Sequence, residues 1–343
     1  MNGGDPIDRR GFLALGAGLV LGAAGCKSTA SSRSPAQSDG TSTSGASDAP
    51  APQPAPSAST STPTSTARLP TVQAWRPDAG DLEPAVKLVA TQVVEAIGNW
   101  TVRGHGTRAA ASRIAALGQT GGLVTEAGSL LGDAPSAALQ VVEAQYGGLL
   151  SASASVLVVC RQWRTGPGGA LTGGGTTIDV RLRKTAGRWH VTALRPARPG
   201  PPTATLSTLA RRVLAERQIT LPPASMADIR SGHVHDSVLT ALLTLARSYR
   251  IDVSVLRSGH PTYVFGTGRL SDHPRGRAFD TWRVNGQRVV DPATSRQLVA
   301  SYMRAAASAS SYNVGGPVQL SGVGNQFFTN PTHHDHVHVG FDH

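Results

Sequence analysis

Cysteine is nearly absent. Two among 343 residues cannot build a disulfide scaffold or a cysteine-rich zinc finger. Aromatic residues make up 5% and charged residues 15%, and charge this sparse and patchy excludes a coiled coil. The apolar run from Phe12 to Gly25 is about 14 residues, short of the roughly 20 that a membrane-spanning helix needs. From Lys27 to Ala67 there is no aromatic, Leu, Ile, Val or Met. Such a segment has nothing to bury and is expected to stay disordered. What is present is glycine (39), proline (23) and a basic balance, 32 Lys+Arg against 21 Asp+Glu. The balance suits an anionic partner without choosing between nucleic acid, lipid head groups and wall polymers. The basic residues are scattered without aromatic interleaving, which argues against nucleic acid. Eleven histidines are present, and His333, His334, His336 and His338 fall within six residues.

The N-terminus reads as an address rather than as structure. Arg9-Arg10-Gly11-Phe12-Leu13 resembles a twin-arginine export core, and Ala23-Ala24-Gly25-Cys26 resembles a bacterial lipobox. Asp8 and Ala23 depart from the usual residues of those signals, and a plain secretory signal is the alternative. The resemblance implies residues 1–25 as signal peptide, export by the Tat or Sec route and lipid on Cys26. The product would be a lipoprotein held on the outer face of the cell membrane. Residues 26–69 would then be a tether with a reach on the order of 35 Å. With Cys26 lipidated, Cys160 is alone. It ends the apolar run Val156–Val159, as a buried inert thiol does.

The chain predicts two α+β units. In the first, 70–195, Leu82, Val86, Val89, Val93 and Ile97 recur at helical spacing, with Pro84 in the first turn. A weaker helix spans about 105–117. Strands follow over 155–163, 177–184 and 188–195, the last two turning at Thr185-Ala186-Gly187. The order faintly resembles the domains named after nuclear transport factor 2. The glycine-rich 166–175 lacks a phosphate-loop ending and reads as a flexible hairpin connection. No chemistry is evident in this unit. Residues 196–202 read as a linker.

The second unit, 203–343, carries the chemistry. Leu206–Leu214 and Val238–Tyr249 mark helices. Ile251, Val253 and Val255 alternate as a strand, with Arg257 next on that face. Asn285-Gly286 signals a hairpin, and an antiparallel sheet is expected. Ser271-Asp272-His273-Pro274-Arg275-Gly276-Arg277-Ala278-Phe279-Asp280 places a histidine seven residues before an aspartate. Asp335-His336-Val337-His338 follows 55 residues later. In an extended strand His336 and His338 share a side. Two imidazoles and a carboxylate suit zinc, and three protein ligands leave a position open, as in catalytic sites.

These residues resemble the D-alanyl-D-alanine metallopeptidases, grouped by site geometry with lysostaphin-type endopeptidases and the hedgehog domain. The family pattern Ser-x-His-x-x-Gly-x-Ala-x-Asp is met by Ser271, His273, Gly276, Ala278 and Asp280, and the closing His-x-His by His336 and His338. The resemblance implies zinc on His273, Asp280 and His338, with Asp335 as general base. It implies His336 as an orienting or transition-state residue, Arg257 at the substrate carbonyl and Ser271 holding substrate. Asp335 must sit just before the strand or at a bulge to reach the site. The expected activity is zinc-dependent cleavage of peptidoglycan stem peptides, carboxypeptidase before endopeptidase because of Arg257. The alternative is a non-catalytic, zinc-containing wall-binding or scaffolding lipoprotein.

Overall fold

A computed structural model describes residues 68–324 and 326–343. The expected signal, Cys26 and all of the tether but its last two residues lie outside the described residues. The described chain is α+β and builds two sheets, each with its own hydrophobic core. Both belong to one compact unit.

In the first half, α1 (Pro84–Gly98) starts on Pro84, whose missing N–H costs nothing in a first turn. Its buried face is Val86, Ala90, Val93, Val94 and Ile97. Leu82, expected on that face, precedes the helix and is exposed. Helix α2 (Thr107–Ala116) follows. Four antiparallel strands then meander in sequence order: β1 (Ala137–Leu149), β2 (Ser153–Thr165), β3 (Leu171–Thr185) and β4 (Arg188–Pro196). The β3–β4 turn uses positive φ at Ala186 and Gly187, the mirror-image turn that matches strand twist. The expected glycine-rich connection shrinks to residues 166–170, because Leu171–Gly175 pair with β2. Cys160 is buried with its thiol on the Thr176 carbonyl, and burial pushes that thiol up to about 12.

Strand β1 was not legible from its residues. Glu143, Gln145 and Tyr146 look like exposed or helical residues, and irregularities at Val141/Glu143 and Tyr146/Gly148 break the period of two. It is an edge strand, yet nearly all of it is buried, polar side chains included.

The second half contains α3 (Thr208–Ala215), β5 (Ile219–Thr220), α4 (Pro223–Arg230), α5 (Asp236–Leu245), β6 (Ile251–Val255), β7 (Ala278–Val284), β8 (Gln287–Arg288), α6 (Arg296–Ser308), β9 (Asn313–Gly315), β10 (Phe327–Phe328) and β11 (Val337–Gly340). The sheet order is β10-β9-β11-β7-β6-β5, with β8 paired to β7 across Asn285-Gly286. It is mixed rather than wholly antiparallel: the outer pairs β10–β9 and β5–β6 are parallel. The C-terminal strand β11 slots between β9 and β7, which makes His338 the direct cross-strand partner of Asp280. The remote halves of the motif therefore meet by sheet register.

Candidate metal centre

His273 opens a short 3-10 turn that ends on Gly276 in left-handed conformation (φ 69°). A Cβ at Gly276 would collide with the His233 carbonyl oxygen, so the motif glycine answers both to backbone angle and to space. Ala278 is fully buried opposite Gly340. Asp335 does precede the strand, as needed, and His336 and His338 face the same cavity.

Three buried donor atoms converge. His273 Nε2 lies 3.1 Å from Asp280 Oδ1 and 3.1 Å from His338 Nδ1, and His338 Nδ1 lies 3.0 Å from Asp280 Oδ1. His273 Nδ1 is 2.8 Å from the Leu256 carbonyl oxygen. A carbonyl only accepts, so Nδ1 carries the proton and a neutral His273 turns a lone pair on the carboxylate. Lone pair against anion in a buried site needs a cation between them. Ligand atoms in a tetrahedron with bonds of about 2.0 Å stand about 3.3 Å apart, close to this triangle. The donor set fits zinc.

Without that cation the charge falls on a proton. Burial disfavours charged His273, but the Asp280 carboxylate and its hydrogen bond raise its pKa. Burial would push Asp280 up, yet the neighbouring His273 and His336 and hydrogen bonds from His273 and His338 hold it well below the usual carboxylate range. Burial keeps His338 below the usual histidine value, and His260 and His333 well below it. Neutral imidazoles are what a metal requires.

His260, which reads in sequence as a loop residue, joins the cluster. His260, His273 and Asp280 offer donor atoms within 4.8 Å of one another and could hold a metal ion. The His260 and His273 rings are stacked, centroids 3.9 Å apart and planes 20° from parallel. Ring lone pairs lie in the ring planes, so two stacked imidazoles do not aim at one ion. His260 would have to turn to ligate, whereas His338 is already aimed.

Asp335 is fully buried and occupied. Its Oδ1 is 2.7 Å from His336 Nδ1, and its Oδ2 takes Lys87 Nζ at 2.7 Å and the Tyr146 N–H at 2.9 Å. Burial would raise its pKa, but Lys87 and the His336 hydrogen bond outweigh that and lower it. The residue expected as general base is thus a weak base with both oxygens engaged. His336 turns its other nitrogen inward, 3.7 Å from Asp280 Oδ2.

A cavity of about 800 Å³ opens beside the cluster, within the size range of small-ligand sites. His260, Ser271, His333, His336 and His338 line it, with Phe265, Arg269, Asp272 and Tyr312. Tyr146, Gly147, Leu149 and Leu150 from the end of β1 make another wall. Ser271 Oγ is 3.5 Å from His260 Nδ1. Arg257 is not in this cavity. It lines a neighbouring one of about 740 Å³ and stands 3.7 Å from Asp228. Strand β6 has register irregularities at Asp252/Val253 and Val253/Val255. They rotate its end, so extrapolating the alternation to Arg257 fails. Arg269 is the arginine that the cavity does contain.

The first half supplies the outer contacts of the centre. Gln145 Nε2 donates to Asp280 Oδ2 at 2.6 Å, Lys87 holds Asp335, and Leu149 N–H donates to Thr332 Oγ1 at 3.1 Å. None of these was legible from sequence, because no local pattern links a strand or helix residue to a partner 135 or more positions away. No protein-family model matches the chain, and no curated protein or solved structure matches it.

Proposed function

We propose that this chain is a zinc-dependent peptidase acting on peptidoglycan stem peptides. The convergence of His273 Nε2, Asp280 Oδ1 and His338 Nδ1 beside an open cavity carries the reading. The motif shared with the D-alanyl-D-alanine metallopeptidases supports it, as do the export signal and tether read from the sequence, which put Cys26 on the outer face of the membrane. When bound, zinc supplies Lewis acidity, polarising the scissile carbonyl and making water acidic enough to attack near neutral pH.

The remaining steps belong to the chain. Asp335 holds Nδ1–H of His336, which leaves the Nε2 lone pair on the side of the donor cluster, 3.7 Å from Asp280 Oδ2, with His336 in the cavity wall. His336 accepts the proton of the attacking water and returns it to the leaving amine, a contribution of about 10²–10⁴ in rate. Asp335 fixes the tautomer rather than taking the proton itself. Arg269 is the cation available in the cavity wall for a substrate carboxylate, which keeps carboxypeptidase ahead of endopeptidase. Ser271 is placed to hold the substrate backbone.

Incubating the zinc-loaded chain with a stem pentapeptide ending in two D-alanines tests this. Release of D-alanine, lost in His338→Ala, is expected. Failure to cut either that peptide or cross-linked muropeptides, with zinc bound, would leave the second reading. That reading is a non-catalytic zinc lipoprotein, and His260 favours it: turned inward, it would close the site with a fourth ligand.

A further inference from the structure

Asp280 offers one oxygen to the donor triangle and must satisfy the other without solvent, since it is almost completely buried. The partner comes from the opposite sheet. Gln145, on β1 and 135 positions away, donates its amide to Asp280 Oδ2 at 2.6 Å. The amide has only one workable orientation. A carboxylate oxygen can only accept, so Nε2 must face Asp280. Gln145 Oε1 then accepts from the Ser254 hydroxyl, which closes the chain of bonds on β6, next to β7. Reversing the amide would set two acceptors against each other in a buried site, a cost that nothing there offsets.

We infer that Gln145 is a positioning residue of the metal centre, so that the two sheets form one site and the motif-bearing half does not carry its metal affinity alone. The inference rests on the metal reading of His273, Asp280 and His338. A hydrogen-bonded outer partner fixes the direction of a ligating carboxylate, and losing such a partner typically weakens metal binding about 10- to 100-fold. Gln145 touches neither the cavity nor any other donor of the triangle. Its effect therefore passes through Asp280. A role as plain packing would predict altered stability with the coordination unchanged.

Cobalt(II) is the probe, because its visible absorption reports ligand geometry. The metal-free full chain is titrated with cobalt for wild type, Gln145→Leu, Ser254→Ala and, as the loss control, His338→Ala. Circular dichroism and thermal unfolding of the metal-free proteins check folding. Gln145→Leu is expected to weaken cobalt binding about 10- to 100-fold and to shift the absorption bands. Ser254→Ala, which removes the anchor of Gln145 Oε1 and loosens the side chain, should weaken it about fivefold. A folded Gln145→Leu with wild-type affinity and spectrum would overturn the inference while leaving the metal reading in place. Should Gln145→Leu not fold, wild-type affinity and spectrum in Ser254→Ala would overturn it equally. A wild-type chain that binds no cobalt would remove the metal reading and this inference with it.

Discussion

Lys87 Nζ sits 2.7 Å from Asp335 Oδ2, with both side chains sealed from solvent. The lysine comes from α1 and the aspartate from the turn before β11. Lys87 also pairs with Asp81 and lies over the Tyr146 ring, 4.4 Å from its centre. Burial works against its charge, but Asp335, Glu143 and Asp81 outweigh that and raise its pKa. This is a buried ion network in which one cation serves several carboxylates.

Removing that cation leaves anions stranded. Lys87→Met should cost about 3–5 kcal/mol, the range for breaking one side of a buried pair. The double variant Lys87→Met/Asp335→Asn should recover part of the loss, because the stranded charge goes too. Denaturant unfolding of the four proteins of the cycle measures this. Additive losses would show that the 2.7 Å contact carries no coupling.

Glu143 belongs to the same network and behaves oppositely. Burial pushes its pKa up to about 7 from 4.5, against the pull of Arg288 and Lys87. A carboxyl whose folded pKa is raised favours the fold most when protonated. Its contribution is complete below about pH 4.5 and is lost as pH rises through about 7. Glu143→Gln should therefore gain on wild type between pH 5 and pH 8, by up to the order of 3 kcal/mol. Unfolding free energies of both proteins at the two pH values decide it. An equal difference at pH 5 and pH 8 would mean that Glu143 does not titrate in this window.

The sequence carried the candidate ligands and hid their support. Ser271, His273, Gly276, Ala278 and Asp280 form a local pattern, and a local pattern can be read because its geometry is local: a turn, a left-handed glycine and a strand. His338 could be placed because strands alternate. Gln145 and Lys87 have no such signal. Their partners lie across the interface between two sheets, and polar residues on a buried edge strand look like polar residues on an exposed one. Arg257 shows the converse failure. The resemblance set it at the substrate, whereas it lines the neighbouring cavity 3.7 Å from Asp228, and Arg269 was passed over because it sits in a loop without periodicity.

Gly276 makes the local part of that pattern testable. With φ at 69° and the His233 carbonyl against its Cα, alanine is refused twice. Gly276→Ala should cost at least about 1–3 kcal/mol from backbone strain alone. Because His273 opens the same turn, zinc affinity should fall with stability. Calorimetric zinc titration of the folded variant at low temperature separates the two. Unchanged affinity would show that the turn does not position His273.

Two variants separate His336 from Asp335, and both from the candidate metal ligands. His336 lines the cavity, while the polar partners of Asp335 among the described residues are His336, Lys87 and the Tyr146 backbone. If His336 is the proton acceptor, His336→Ala loses about 10²–10⁴ in kcat and keeps its zinc. Asp335→Asn should lose a similar factor by a different route. Its amide would place an N–H against His336 Nδ1 and drive the proton to Nε2, the nitrogen that must accept. Zinc content beside D-alanine release measures both. His336→Ala within tenfold of wild type, with Asp335→Asn inactive, would return the base to Asp335. That outcome would require the carboxylate to let go of Lys87 during turnover, and Lys87→Met, which removes the charge that holds the Asp335 pKa down, should then raise the rate rather than lower it.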